Sequence, residues 1–326
     1  MTCRLPPSDP TLLLSSAHMR AAVIFGLGCS AKNLGPFQTD EAIDWRIGQP
    51  AAGDQADVIL LFGGDGTIHR HLSQLVKLRL PLLVVPAGSG NDFARALGLR
   101  RVRDSLAAWR GFCAGRSNIR NIDLGVISAL DAGEAPAPDG PALHSALGTQ
   151  HYFGSVAGVG LDAEVSRRAN ALPRWLRGHG GYALTLAPTI FRFAPFPMKI
   201  FTPGENDGWA IRSDQPTILA AFGNTPIYGG GMKIAPHARM DDGQLDVCVI
   251  GGVDRFKLAC MFPTVYFGRH LRIREVEYFQ TRRVRVETER PLDIYADGEF
   301  VCRTPVEIAV QPGALRVVVS APERRF

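Results

Sequence analysis

The stretch Asp57-Val58-Ile59-Leu60-Leu61-Phe62-Gly63-Gly64-Asp65-Gly66-Thr67-Ile68-His69-Arg70 constrains the fold of this chain more than any other. Val58 to Phe62 is an unbroken apolar run, short enough for a strand buried on both faces, and it stops abruptly at glycine. Beyond Thr67, the residues Ile68, Leu72, Leu75 and Val76 recur at i, i+4, i+7 and i+8, the apolar stripe of a helix that packs on a sheet. The spacing therefore predicts strand, glycine turn and helix. In open α/β sheets such a corner binds ligands, because glycine lets the backbone come close and the helix start offers unpaired N–H groups to anions.

Asp65 narrows the chemistry. A carboxylate repels phosphate unless a cation or a transferred proton gives it a role, so it points to Mg²⁺ or to catalysis. The stretch fits neither the phosphate loop that ends in Lys-Ser/Thr nor the Gly-x-Gly-x-x-Gly fingerprint. A tight turn with an Asx-type cap is the purely structural alternative, and five residues are compatible with both.

The rest of the first half repeats the pattern. Ala21 to Phe25 reads as a strand that runs into Gly26-Leu27-Gly28-Cys29-Ser30, and the only helical piece expected before Asp57 is Glu41 to Trp45. Leu80 to Val85 is a further buried strand, ending at Pro86-Ala87-Gly88-Ser89-Gly90-Asn91-Asp92-Phe93-Ala94-Arg95. Gly88 and Gly90 permit a tight loop, and Ser89, Asn91 and Asp92 are hydroxyl and N-cap residues ahead of a helix over 93–97. Asp104 is expected to cap a helix carrying Leu106, Trp109 and Phe112, and Ile119 to Ile127 reads as a strand. Strands alternating with helices predict a mostly parallel sheet.

At 326 residues two domains are expected, and the pattern changes near residue 125. This places an α/β domain over 20–125 and a second domain over 126–326 whose last residues could return to the first. Residues 128–149, rich in Ala, Pro, Gly and Asp, read as a mobile hairpin loop. From Tyr152 onward the segments are strand-like, except for helices expected over 162–169 and 182–193.

Two later segments carry chemistry. Gly229-Gly230-Gly231 demands a sharply bent backbone or one that admits a ligand, and it leads to Arg239-Met240-Asp241-Asp242-Gly243-Gln244. The adjacent carboxylates suit a type I turn or a hard cation. In Asp297-Gly298-Glu299 the two carboxylates are two residues apart. On an extended strand they share one side, where they could deprotonate an alcohol or hold a metal; a hairpin turn at Asp-Gly is the alternative.

Composition excludes some classes. Lys and Arg exceed Asp and Glu by 36 to 31, a surplus of +5 that suits anionic ligands or membrane surfaces better than a dedicated nucleic-acid protein. The 6 cysteines are scattered without C-x-x-C spacing, as expected of a reduced, cytoplasmic protein. No window approaches the roughly twenty apolar residues that span a bilayer, and the first residues lack a signal core.

Taken together, the motifs resemble the diacylglycerol kinase catalytic-domain family, in particular the soluble bacterial lipid kinases. The resemblance runs in order through 63–67, 86–95, 121–125 (Asn-Ile-Asp-Leu-Gly), 158–163 (Gly-Val-Gly-Leu-Asp-Ala), 223–243 and 297–299. NAD kinases share the first motif but not Asn-Asp-Phe-Ala-Arg, and are the runner-up among enzymes. The resemblance implies an N-terminal doubly wound α/β nucleotide domain, a C-terminal β-sandwich-like domain and an active site in the cleft between them. It implies ATP and Mg²⁺ as cofactors and a lipid with a free hydroxyl as substrate. Carried over by position, Gly63, Gly64, Asp65, Gly66, Thr67, Ser89 and Asn91 would bind the nucleotide and its Mg²⁺. Asp242, with the carbonyls of Arg239 and Gln244, would hold a structural Mg²⁺. Glu299 would accept the proton, with Asp297 beside it. The departures are a first loop reading Gly-Leu-Gly-Cys-Ser, a short segment before Asp57 and His69-Arg70 in place of Asn-Glu. They leave open a nucleotide- or lipid-binding regulator without turnover. Residues 167–201, with Arg174, Arg177 and His179 ahead of Phe191, Phe193, Phe196 and Phe201, could dock on an anionic membrane or supply core to the second domain. The oligomeric state stays open, a homodimer included.

Overall fold

The computed structural model describes residues 18–38, 42–51, 55–130, 150–172, 181–204 and 208–320. The first half contains β1 (Met19–Phe25), α1 (Ala31–Leu34), β2 (Ile43–Ile47), β3 (Val58–Gly63), α2 (Asp65–Leu78), β4 (Leu82–Pro86), α3 (Asp92–Ala96) and α4 (Val102–Cys113). The second contains β5 (Ile119–Ala129), β6 (Gln150–Phe153), β7 (Val156–Gly160), α5 (Leu161–Ala171), α6 (Gly181–Arg192), β8 (Phe196–Pro203), β9 (Trp209–Gly223) and β10 (Leu245–Gly251). It continues with α7 (Arg255–Val265), β11 (Val276–Thr281), β12 (Arg283–Thr288), β13 (Asp293–Ala296), β14 (Glu299–Arg303) and β15 (Val306–Val318).

Strands β2, β1, β3 and β4 pair in parallel in that order. Every residue of β3 is buried, as its unbroken apolar run requires, and Ile68, Leu72 and Leu75 of α2 face the same core. In the second half β5 through β15 pair almost entirely antiparallel and form the β-sandwich around Ile127, Phe222, Val247, Val286 and Ile308. A further core lies where α5, α6 and α7 cover the outer side of β9 and β10, with Val165, Ile190, Met261 and Val265 at its centre.

The long strand β15 joins the two halves. Its start pairs antiparallel with β12, while Val317 near its end lies beside Leu82 of β4 in parallel. Leu315, Val317 and Val318 are buried in the core of the first half. The pairing of β15 with β5 shifts register between Gln311 and Leu315. There the buried Asp123 carboxylate accepts from Gly313 N at 2.8 Å and from Gly243 N at 2.7 Å.

Three expectations are corrected. Residues 43–47 form a strand rather than part of a helix, since Ile43, Trp45 and Ile47 alternate at period two and Trp45 lies 5.6 Å from the buried Trp109 ring. Glu41 itself lies outside the described residues. The helix expected after an Asp104 cap begins earlier: Arg101 is the N-cap, and Asp104 sits three residues on, accepting from Arg101 N at 2.8 Å. Helix α7 was not expected because it is apolar on every side and shows no stripe. Its start is nonetheless encoded in Asp254, whose carboxylate accepts from Phe256 N and Lys257 N, both at 3.0 Å. Most of the predicted loop at 128–149 lies outside the described residues, although 128–129 belong to β5.

The corner after β3 and the corner after β4 touch backbone to backbone. A methyl group on Gly88 would stand 2.5 Å from Gly64 Cα, a contact that only main-chain movement relieves. Gly88→Ala is therefore expected to destabilise the fold by about 1–3 kcal/mol, the cost of overpacking a close contact. It should appear as a lower urea midpoint at unchanged slope. Gly35→Ala, where a methyl meets open space, is the control; equal midpoints for the two variants would remove the contact from the account.

Candidate active site

The predicted glycine corners converge on one cleft of about 530 Å³. Its walls include Leu27 of the first corner, Gly64 to Thr67 at the start of α2, Gly88 to Gly90 after β4, Gly229-Gly230 and the Asp297-Gly298 turn. Segments far apart in sequence meet here because β3 and β4 are adjacent and parallel, so both loops leave the same edge of the sheet.

Asp65 lies at the first position of α2, but its carboxylate turns to the next corner. Oδ2 accepts from Asp92 N and Oδ1 from Phe93 N, both at 3.0 Å, so Asp65 caps α3. This tie is an addition to the expected cation role. A carboxylate has about four lone-pair positions, and two backbone donors leave others for a cation. Burial is the main cause that pushes the Asp65 carboxyl up to about 6. The two N–H groups oppose the shift, and the charges of Asp92 and Asp297 add to it. Asp92 is also raised by burial, against the Gly230 N–H at 3.0 Å and the Arg95 guanidinium at 2.6 Å.

The other residues expected to bind nucleotide divide by geometry. Gly64 and Gly66 line the cleft, as does the exposed Ser89. Thr67 also lines it but is largely buried, wedged against Gly26 and Gly63, where a methyl would stand 2.6 and 2.7 Å from its side chain. Gly63 closes β3, and its carbonyl accepts from Ala87 N at 3.1 Å. Asn91 spends its side chain on its own loop. It accepts from Gly88 N at 2.9 Å, donates to Gly88 O at 2.6 Å and takes a left-handed φ of 55°.

Asp297 and Glu299 do not lie side by side on a strand. Asp297 and Gly298, at φ 52° and 86°, form the hairpin turn between β13 and β14. The turn sends their carboxylates to different places. The Asp297 side chain is buried and accepts from Gly154 N and Ser155 N, both at 2.8 Å, and it faces His69 Nδ1 at 3.3 Å. Glu299 is exposed and reaches over the start of α2: a methyl on Gly66 would stand 2.9 Å from its Oε1. Burial pushes the His69 imidazole down, but the hydrogen bond and charge of Asp297, with the charge of Glu299, outweigh it and leave the pKa raised. A hairpin of the sandwich thus reaches the start of α2 through both of its acids.

Asp242, Arg239 and Gln244 lie elsewhere, on the loop pinned by Asp123. Asp242 is exposed, its Oδ1 accepting from Gln244 N at 3.1 Å, while the Arg239 side chain pairs with Asp241 at 3.2 Å. None of the three lines the cleft.

Asp92, Asp162 and Tyr228 fall within the motifs at 86–95, 158–163 and 223–243, but local sequence assigns none of them, nor His69, a role in the site. In the fold, Tyr228 OH donates to Asp162 Oδ1 at 2.9 Å in the cleft wall. Behind this pair lies a narrow apolar slot lined by Leu186, Ile190, Leu258, Met261 and Val265. Within 167–201, Leu186, Ile190 and Ile200 are core residues and Arg167 and Arg168 pair with Glu164. The described part of that segment therefore serves mainly as core; Arg174, Arg177 and His179 lie outside the described residues. No helix among the described residues is long and apolar enough to cross a membrane.

Residues 34–127 match the diacylglycerol kinase catalytic domain, and residues 154–319 match the YegS C-terminal NAD kinase beta sandwich-like domain. A diacylglycerol kinase of Mycobacterium tuberculosis is 34% identical over 274 residues, spanning 82% of this chain and 78% of its own. The chain belongs to the diacylglycerol kinase family of lipid kinases. A diacylglycerol kinase of Bacillus subtilis is 27% identical over 259 residues, spanning 79% of this chain and 76% of its own. The fold agrees: a diacylglycerol kinase structure from Bacillus anthracis superposes with a TM-score of 0.60 at 19% identity, covering 94% of this chain and 97% of that one. Membership in a kinase family implies ATP as phosphoryl donor.

The half-buried Asp65 gives a stability signature. Its folded pKa lies above the unfolded value of roughly 3.9, so the folded state holds the proton more tightly. Stability from this group is full at low pH and is lost as pH rises toward about 6. Wild-type stability measured relative to Asp65→Asn should therefore fall between roughly pH 4 and 6 and level off above. Denaturant titrations of both proteins across that range check the sign, and a difference that rises with pH would contradict it.

Proposed function

We propose that the protein transfers the γ-phosphoryl group of ATP to a hydroxyl of diacylglycerol or a related lipid, with Glu299 as the proton acceptor. The observation that carries this reading is the position of the Glu299 carboxylate over Gly66. A base on the sandwich then faces the helix start that would hold the phosphates. Phosphoryl transfer needs alignment and charge neutralisation more than covalent help, and each part has a candidate here. The backbone of Gly64 to Thr67, with Ser89, would seat the phosphates. Glu299 would take the proton from the lipid hydroxyl as it attacks. Asp297, tied to Gly154, Ser155 and His69, would fix the turn that carries Glu299.

The acids around the cleft fit Mg²⁺. The charges of Asp92 and Asp297 push Asp65 up, that of Asp297 pushes Asp92 up, and a divalent cation would relieve this repulsion. No three His, Cys, Asp or Glu side chains among the described residues form a cage. Mg²⁺ needs none, since it keeps waters and is usually held through one or two carboxylates and the substrate phosphates. When bound at Asp65 and Asp92 it would neutralise charge on the phosphate oxygens. A second Mg²⁺, with a structural role, would use Asp242 and the carbonyls of Arg239 and Gln244.

The lipid would approach from the Asp162–Tyr228 side of the cleft, with acyl carbons directed to the apolar slot behind it. At about 40 Å³ that slot is too narrow for an acyl chain, so filling it would part α6 from α7.

Purified protein with labelled ATP, a panel of diacylglycerol, monoacylglycerol, sphingoid and isoprenoid acceptors, and Mg²⁺ present or chelated tests the activity. Labelled product that requires Mg²⁺ is expected; ATP binding with no product on any acceptor would favour a regulator instead. Glu299→Gln should lower kcat by at least about a hundredfold with little change in the KM for ATP, since a base acts only in the transition state. If Asp297→Asn shows that split and Glu299→Gln does not, the base is Asp297. For the second Mg²⁺, millimolar MgCl₂ should raise the melting temperature of the wild type but not of Asp242→Ala. Equal responses would leave the Asp241-Asp242 loop as a turn only.

A further inference from the structure

Helix α7 is apolar on both sides. Its inner side supplies Leu258, Met261 and Val265 to the core beneath it, as a surface helix should. Its outer side carries Phe256, Cys260 and Pro263, spaced i, i+4 and i+7, Phe267 follows in the turn just past its end, and all four are exposed. Phe256 is 78% and Phe267 72% exposed, values that a fold without a partner for this face leaves unexplained. Phe191 at the end of α6 extends the patch. It is 46% exposed and its ring centroid lies 6.3 Å from that of Phe256.

Cations frame the rings. Arg192 follows Phe191, Arg255 precedes Phe256, and Arg269 lies over the Phe267 ring at 6.0 Å from its centroid. All three are exposed, and none forms an ion pair with a described residue. The acids nearby are committed: Asp254 caps α7, and Glu275 pairs with Lys257 at 2.7 Å. The charge left facing solvent around the apolar stripe is positive.

We propose that the outer face of α7, with Phe191, is a docking surface for an anionic bilayer. The rings, with Cys260 and Pro263 between them, would enter the boundary between headgroups and acyl chains, while Arg192, Arg255 and Arg269 meet the anionic headgroups. Charge complementarity selects the bilayer over an acidic groove, because the cations form a rim around apolar side chains that must themselves be buried. This proposal rests on the lipid-kinase reading for its purpose: the inner side of the same helix lines the slot assigned to the acyl chain, so a docked α7 would stand between bilayer and slot. It is a different surface from the 167–201 segment, with which it shares only Phe191 and Arg192.

The test reads vesicle binding without ATP, so its outcome is independent of turnover. The full chain is co-sedimented with vesicles of phosphatidylglycerol and phosphatidylcholine, and with phosphatidylcholine alone. Binding to the anionic vesicles that weakens with salt is expected. Phe256→Gln with Phe267→Gln should reduce it more than about tenfold, and Arg255→Glu with Arg269→Glu should reduce it comparably. The melting temperature should stay unchanged in both variants, because these side chains are solvent-exposed. Activity on a short-chain soluble lipid should be kept and activity on bilayer substrate lost. Unchanged vesicle binding in both variants would overturn the proposal. So would a lowered melting temperature, which would mean the rings are packed within the fold, or loss of a dimer in sedimentation at unchanged vesicle binding, which would assign the face to a second copy. Vesicle binding through this face with no lipid phosphorylated would leave the docking surface standing and remove the kinase reading alone.

Discussion

The carboxylate of Asp65 and the N–H groups of Asp92 and Phe93 form the contact on which the cleft depends. Two loops that leave adjacent parallel strands would otherwise diverge, since each ends in a helix start with its own unpaired donors. One half-buried side chain at the head of α2 satisfies the donors of α3, and the glycines at 64 and 88 let the two backbones meet beneath it. Burial of that carboxylate is unfavourable by itself, as its raised pKa records. The arrangement persists because the same carboxylate closes a hydrogen-bonded corner, and because glycine at 90 leaves room for it.

A second set of contacts brings the sandwich to that corner. Asp297 is locked in a left-handed turn and holds Gly154 and Ser155 by their backbone, while His69 reaches it from α2. These bonds connect the turn between β6 and β7, α2 and the β13–β14 hairpin, three elements with no sequence proximity. Glu299 stays exposed as a consequence: one acid of the pair is spent on backbone donors and the other faces the start of α2. Asp123 does equivalent work on the far side, where it closes the register shift of β15 and the 239–244 loop at once. Buried acids that accept from backbone donors are thus the recurring means by which this fold fixes its loops.

Much of this organisation was legible in residues 57–70. A short apolar run ended by glycine, followed by a helical stripe, has few physical solutions, and β3 and α2 occupy the places it predicts. Motif order along the chain was enough to imply the family, because each glycine corner has a local backbone reason to be glycine. Elements whose signal was local and periodic were therefore readable. Those whose period was ambiguous were not: β2 is short with three large apolar residues at alternate positions, and α7 has apolar residues on every face, including the one that stays exposed.

What the tertiary structure alone decided is where each carboxylate points. Asp65, Asp92, Asp123 and Asp297 are four ordinary acids in sequence, and all four spend oxygens on backbone N–H groups from distant segments. The separation of Asp297 from Glu299 follows from a turn whose two residues both take positive φ, a choice that Asp-Gly permits but does not force. The pairing of Val317 with Leu82, and the meeting of Asp162 with Tyr228, likewise depend on which strands become neighbours. Local sequence determines backbone shape through sterics and periodicity. The partners of a buried charge are determined only when the sheets close, because the cost of leaving it unpaired is felt only then.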